Sequence, residues 1–261
     1  MNILEQLAAY AAERTEAAKK AVPEAEMRRR AETSVRPVSF EAALRRPGLS
    51  FICECKKASP SKGLIDPDFP YLRIAKEYES AGADCISVLT EPKWFLGSGR
   101  YLEEIAQAVS LPCLRKDFTV DPYMIYEAKV LGASAVLLIV SILEEPELKE
   151  YLEICDSLGL SALTEIHDAR EADTALRAGA RIIGVTNRNL KDFTVDTGNS
   201  RRLRELIPEN VLFVSESGIK DAADAEAARK SGADAVLVGE ALMRARDKRK
   251  KLEELKGEHT A

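Results

Sequence analysis

Eight short apolar runs alternate with amphipathic stretches, a Gly-centred tetrad precedes every second run, and polar residues recur just past the runs' C-terminal ends. Together these predict an α/β protein, a (β/α)8 TIM barrel with an N-terminal helical extension. A doubly wound open sheet shares the alternation, but it more often stops at about five or six strands, and no GxGxxG follows the first run. The length of 261 residues suits one such barrel. A single domain is expected, with residues 1–48 as the extension and 49–261 as the barrel.

In the extension, Ile3, Leu4, Leu7, Ala8, Ala11 and Ala18 fall at helical spacing between Asn2 and about Lys20. A second helix is predicted from Pro23, a good first-turn residue, to about Ala31, and a third over Val38 to Leu44 before Pro47-Gly48 turns the chain. Preceding the first strand, these helices are expected to cap a face of the barrel or flank its mouth. Predicted strands are Phe51–Cys55, Cys85–Leu89, Cys113–Arg115, Ala135–Ile139, Ser161–Thr164, Ile182–Val185, Leu212–Ser215 and Ala235–Val238. Predicted helices between and after them are Tyr71–Ser80, Tyr101–Ala108, Pro122–Leu131, Leu148–Leu158, Ala169–Ala178, Ser200–Leu206, Ala222–Lys230 and Leu242–Leu255. The tetrads Ala81–Asp84, Leu131–Ser134, Ala178–Arg181 and Ser231–Asp234 each carry Gly where a left-handed helix cap costs little. Their period of two units fits an internal duplication, and ordinary αβ-turn chemistry gives the same pattern.

The stretch Phe51 to Gly63, FICECKKASPSKG, runs from apolar to charged and then into a Ser/Pro/Gly loop. Glu54 and Lys56, two residues apart, point to the same face of the strand end. A carboxylate and an ammonium there are costly unless partnered or used, so a structural pair and an active-site pair both fit. In a barrel, C-terminal strand ends converge on one mouth. Read in order, those ends give Glu54 and Lys56, Glu91, Lys116 and Asp117, Ser141, Glu165 and His167, Arg188 and Asn189, Glu216 and Ser217, and Gly239 and Glu240. Such a set can hold proton donors and acceptors with pKa values pushed apart.

Several of these have simpler readings. Glu91 reads as the start of the Glu91-Pro92 turn, Asp117 as a residue that orients Lys116 or reacts, and His167 as a solvent-facing residue at a helix start. Trp94 and Phe95 read as packing beneath loops, while Phe118 is better placed to contact a planar ligand. The loops after strands seven and eight, Ser215–Ile219 and Val238–Ala241, carry Gly where backbone N–H groups can approach an anion. A phosphorylated small molecule is the ligand these loops predict. Glu240 is expected to turn its carboxylate away and offer only its backbone N–H.

With 38 Lys and Arg against 43 Asp and Glu, the net charge of −5 provides no field for nucleic acid or anionic membrane. The basic segment Arg244–Lys256 is interrupted by Glu253 and Glu254 and reads as a solvated barrel helix. The five cysteines are odd in number and scattered without metal spacing, and Cys53-Glu54-Cys55 is too short for a redox pair. Only His167 and His259 occur, which argues against a His-rich metal site or a His-based triad. No metal and no cofactor are implied. The N-terminus lacks a signal-peptide pattern and no apolar run of about 18 residues occurs, so a reduced, cytoplasmic protein is expected.

Glu54–Gly63 (ECKKASPSKG) resembles the signature of indole-3-glycerol phosphate synthase, as do LTEPKWFLGS (Leu89–Ser98), LRKDFTVDPYMIYEA (Leu114–Ala128), ASAVLLIV (Ala133–Val140), TEIHD (Thr164–Asp168), NRNL (Asn187–Leu190) and SESGI (Ser215–Ile219). The resemblance covers essentially the whole chain. It implies the closure of 1-(2-carboxyphenylamino)-1-deoxyribulose 5-phosphate to indole-3-glycerol phosphate in tryptophan biosynthesis, with loss of carbon dioxide and water and without a cofactor. It assigns Lys116 as general acid at the ribulose carbonyl, Glu165 as acid or base in dehydration, and Glu54 with Lys56 to further proton transfer. Arg188 would hold the anthranilate carboxylate and Phe118 would pack on the substrate. Ser59, Thr186, Glu216 and Ser217 would face it, with Gly218, Gly239 and Glu240 at the phosphate. A monomer is expected, with other tryptophan-pathway enzymes as the candidate protein partners.

Two positions depart from the family pattern as read here: Thr186 stands where an Asn usually faces the substrate, and Glu240 where Ser usually follows Gly. Threonine keeps a hydroxyl but loses reach and an amide. Both changes leave room for an attenuated enzyme, and with it a rival reading as a non-catalytic subunit that binds the ligand. The other rival, a phosphoribosyl isomerase, would be expected to use a cysteine and an aspartate where this chain has Lys56 and Lys116.

Overall fold

The structure is a computed structural model that describes residues 2–188 and 194–257. Asn189, Leu190 of the NRNL motif and His259 lie outside the described residues.

Eight strands close into a parallel barrel: β1 (Ser50–Cys55), β2 (Cys85–Leu89), β3 (Cys113–Lys116), β4 (Ala135–Ile139), β5 (Ser161–Ile166), β6 (Ile182–Thr186), β7 (Leu212–Glu216) and β8 (Ala235–Val238). Each pairs with its sequence neighbours, and β1 pairs with β8 to complete the ring. The strands are buried along both faces, apart from the partly exposed last residue of β3, which explains why they read as continuous apolar runs. Period-two alternation then divides them into two cores. Ile52, Cys85, Leu114, Leu137, Leu163, Ile182, Val214 and Leu237 fill the barrel interior. Phe51, Cys53, Ile86, Val136, Ile183, Phe213 and Val236 face the surrounding helices.

Those helices are α4 (Tyr71–Ser80), α5 (Gly99–Ala108), α6 (Pro122–Val130), α7 (Glu145–Leu158), α8 (Ala169–Ala178), α9 (Gly198–Arg204), α10 (Ala222–Lys230), α11 (Glu240–Arg244) and α12 (Lys248–Lys256), after α1 (Ile3–Ala21), α2 (Glu24–Thr33) and α3 (Phe40–Leu44). The single helix expected over Leu242–Leu255 is therefore two. Ala245 is extended, and the Asp247 side chain accepts the Lys250 N–H to start α12 afresh. The loop after β1, read as irregular, contains a short antiparallel ladder between Ala58–Ser59 and Gly63–Leu64. Tetrad glycines 82, 132, 179 and 232 all have positive φ, as the helix-ending pattern requires.

The extension reaches both ends of the barrel. Ile3 and Leu7 of α1 border the cavity at the C-terminal mouth, and farther along α1 Arg14 pairs with Asp117 at 2.7 Å. Lys19 reaches the α6 cap residue Asp121 at 2.6 Å. At the opposite end, Phe40, Ala43 and Leu44 of α3 join the interior core. There Glu41 N–H donates to Ser161 Oγ and Ser50 Oγ–H to Ala43 C=O. Phe40 is fully buried, so Phe40→Ala should lower unfolding stability by about 3–5 kcal/mol in a urea titration. A loss below about 1 kcal/mol would show that this end does not depend on the plug.

Candidate active site

Four barrel strands deliver charged side chains to one cavity of about 940 Å³ at the C-terminal mouth. Alternation carries the interior face of each strand upward, from Ile52 to Glu54 and Lys56, from Leu114 to Lys116, from Leu163 to Glu165, and from Val214 to Glu216. β5 runs two residues longer than read from the sequence and β7 one residue longer, which places Glu165 and Glu216 within the sheet rather than beyond it.

Lys116 Nζ lies 3.2 Å from Glu165 Oε2 and 3.3 Å from Glu216 Oε2. Burial works against its charge, but Glu216, Glu165 and Glu54 outweigh that and hold the ammonium well above its usual range. Burial pushes the Glu216 carboxyl up to about 7, helped by the Glu165 and Glu54 charges and opposed by Lys116. Glu216 Oε1 is buried without a polar partner, an arrangement that favours the neutral acid. Glu165 is driven below the usual carboxylate range: burial raises it, but the charges of Lys116 and His167 prevail. Both carboxyls feel the same ammonium; burial and the neighbouring carboxylates leave Glu216 the higher of the two, and the added charge of His167 leaves Glu165 the lower.

Beside them, Lys56 Nζ sits 2.6 Å from Glu54 Oε1, and Ser87 Oγ–H donates to Glu54 Oε2 at 3.3 Å. Against burial, Lys56 and Lys116 keep Glu54 below its usual range.

Two glycines make this packing possible. Gly184, paired with Glu165 across β5 and β6, lies under the Glu216 carboxylate, and a Cβ built there overlaps Glu216 Oε1. A Cβ at Gly239 would lie 2.5 Å from Glu54 Oε1 and 2.8 Å from Lys56 Nζ. Gly184 was not among the candidates read from sequence. Its signal was present, because a glycine inside a strand marks a close approach.

The remaining candidates also gather here. Ser59, Phe118, Thr186, Arg188, Ser217, Gly218, Gly239 and Glu240 line the cavity. Ser217 and Gly218 both have positive φ, at 66° and 92°, a costly conformation for a serine. Asn187 holds them: buried on the outward face, its Nδ2 donates to Ser217 C=O at 3.0 Å and its Oδ1 accepts from Ser200 N–H and Oγ–H. Thr186 Oγ1 accepts the Arg188 N–H at 3.3 Å. Glu240 Oε1 takes Arg244 Nε at 3.1 Å and lies 3.5 Å from Lys62 Nζ, so both cations draw on its carboxylate.

Other strand-end residues part from the cluster. Glu91 is fully buried and accepts the N–H groups of Lys93, Trp94 and Phe95, fixing the loop after β2 as the turn reading expected. Ser141 is exposed in a 3-10 turn. Asp117 borders the cavity, but its carboxylate is taken by Arg14, Thr90 and the Phe118 N–H. Trp94 packs edge-on against Tyr10 with ring centroids 5.6 Å apart. His167 departs from its solvent-facing expectation: its side chain is only 21% exposed, and Nε2 lies 3.9 Å from Glu165 Oε1. The reason is the longer β5, which gives residues 165 and 167 the same face.

Closed barrel and mouth together define a (β/α)8 protein with an acid–base centre built on lysine and glutamate. A family model described as indole-3-glycerol phosphate synthase matches residues 4–255. An indole-3-glycerol phosphate synthase of Ruminiclostridium cellulolyticum is 54% identical over 98% of this chain and 99% of its own length. Another from Endomicrobium trichonymphae is 56% identical over 84% of this chain and 85% of its own. The chain belongs to the indole-3-glycerol phosphate synthase family. Among solved structures, 3-hexulose-6-phosphate synthase from Salmonella typhimurium superposes with a TM-score of 0.66 at 12% identity, over 81% of this chain and all of that one. That likeness is one of fold.

Gly184→Ala should displace the Glu216 carboxyl and lower kcat/KM by roughly 10²-fold with a retained circular dichroism spectrum; wild-type efficiency would show that the carboxyl can rotate away without loss. Glu216 also gives stability a pH dependence. Its folded pKa lies above the unfolded value, so the unfolded chain releases this proton first and Glu216 lowers stability as pH rises from about 4.5 to about 7. Glu216→Gln should therefore raise Tm relative to wild type more at pH 8 than at pH 5, and an equal effect at both would contradict the raised pKa.

Proposed function

We propose that this chain closes the indole ring of indole-3-glycerol phosphate, converting 1-(2-carboxyphenylamino)-1-deoxyribulose 5-phosphate with loss of carbon dioxide and water. It is a carboxy-lyase of tryptophan biosynthesis. The observation that carries the residue roles is the Lys116 ammonium held between Glu165 and Glu216 at the barrel mouth.

As the aromatic ring carbon attacks the ribulose carbonyl, negative charge develops on the oxygen. Lys116, a largely buried ammonium, protonates it. Decarboxylation restores the ring's electrons, and dehydration then needs a proton donor for the departing hydroxyl and a base for the proton removed. Glu165, ionised beside Lys116, serves as the base and returns the proton as an acid. Glu54 and Lys56 form the second donor–acceptor pair.

Arg188 takes the anthranilate carboxylate and Phe118 packs on the ring. Ser59, Thr186, Glu216 and Ser217 supply polar contacts, and backbone N–H groups at Gly218, Gly239 and Glu240 meet the phosphate. The Glu240 carboxylate, offset by Arg244 and Lys62, burdens that anion less than an unpaired one. A cysteine-based isomerase fits poorly, because all five cysteines are buried and none lines the cavity. Among the described residues no helix is long and apolar enough to cross a membrane; we place the chain in the cytoplasm, as a monomeric single domain with residues 1–48 as extension and 49–261 as barrel.

Purified protein given the carboxyphenylamino-deoxyribulose phosphate should generate the fluorescence of indole-3-glycerol phosphate. Lys116→Met should lower kcat by roughly 10²–10⁴-fold while the protein still folds. Near-wild-type turnover in that variant would remove Lys116 from the mechanism.

A further inference from the structure

Glu165 has a neighbour on the side opposite Lys116. His167 Nδ1 lies 3.0 Å from Glu171 Oε2, and the same oxygen accepts the His167 backbone N–H at 2.7 Å. Glu171 is itself anchored in the first turn of α8, where its N–H donates to Asp168 Oδ1. A carboxylate only accepts hydrogen bonds, so Nδ1 carries a proton. The other ring nitrogen, Nε2, is buried with no hydrogen-bond partner and stands 3.9 Å from Glu165 Oε1.

Two charge states of this ring have opposite consequences. In the neutral ring, a bare Nε2 lone pair faces a carboxylate. In the imidazolium, Nε2–H is directed at it. Groups acting on the ring come from three elements: Glu165 of β5, Glu171 of α8 and Glu216 of β7, with Lys116 of β3 beyond Glu165. Burial opposes the ring's charge, but the Glu171 hydrogen bond and these carboxylates raise its pKa above the usual histidine value.

We propose that His167 is a positioning residue: held through Nδ1 by Glu171, its imidazolium faces Glu165 Oε1 and keeps that carboxylate ionised. The inference rests on the reading of Glu165 as acid and base in dehydration.

His167→Asn keeps a donor near the Nδ1 position and removes Nε2. Without the imidazolium, the Glu165 pKa rises, so the acidic limb of kcat/KM should move up by about one unit, a roughly ten-fold loss on the acid side, with KM little changed. His167→Gln, which restores a donor near Nε2, should recover part of it. An unshifted acidic limb in His167→Asn would overturn the proposal.

A second measurement uses no substrate. The chain has two histidines, so His167→Asn assigns the His167 imidazole signal in an NMR titration of the wild type. Glu165→Gln should then lower the His167 pKa by about one unit; an unmoved titration would likewise overturn the coupling. If that pKa falls while the wild type makes no indole-3-glycerol phosphate, the coupling stands and the reaction assigned above is what fails.

Discussion

The site depends on keeping one ammonium charged inside a protein. Lys116 is largely withdrawn from water, and an unpaired cation there would lose its proton. Glu165 and Glu216 hold it on two sides, with the Glu54 charge adding at longer range. Each carboxylate in turn needs room and an orienting neighbour. Gly184 and Gly239 give the room, Ser87 and Lys56 orient Glu54, and Asn187 fixes the adjoining loop. Ordinary apolar layers below hold the strand ends in register.

Most of the architecture was legible in the sequence because two periodicities coincide. Apolar runs marked the strands, and Gly-centred tetrads marked the turns into alternate strands. The misreadings arise where side-chain chemistry overrides these patterns. Asp247 restarts a helix where hydrophobic spacing continues, so one expected helix is two. The site was legible through the two-residue spacing of Glu54 and Lys56. The same spacing in Glu165 and His167 was obscured by ending the strand at Thr164, which put His167 in a loop. Asn187 shows the other limit, since its partner Ser217 lies 30 positions away and only the closed barrel joins them.

Thr186 and Glu240, which set this chain apart from the family pattern as read in sequence, are both integrated locally. The Thr186 hydroxyl is engaged by the neighbouring Arg188 N–H, so its side chain organises the strand end that leads to a candidate carboxylate-binding arginine. Glu240 faces two cations, one on its own helix and one on the loop after β1. Neither residue disturbs the lysine–glutamate centre.

The extension that borders the mouth and plugs the opposite end imposes an order of assembly. Residues 2–48 leave the ribosome ahead of every strand, yet α3 docks on a floor that is complete only when β8 has paired with β1. That closing contact joins Ser50 to Ala235, among the most distant pairings in the chain. The extension therefore waits for β8, its apolar face open to other contacts meanwhile. Opposite that face α2 is densely charged, with Arg28–Glu32 and Arg29–Glu26 pairs in the folded state.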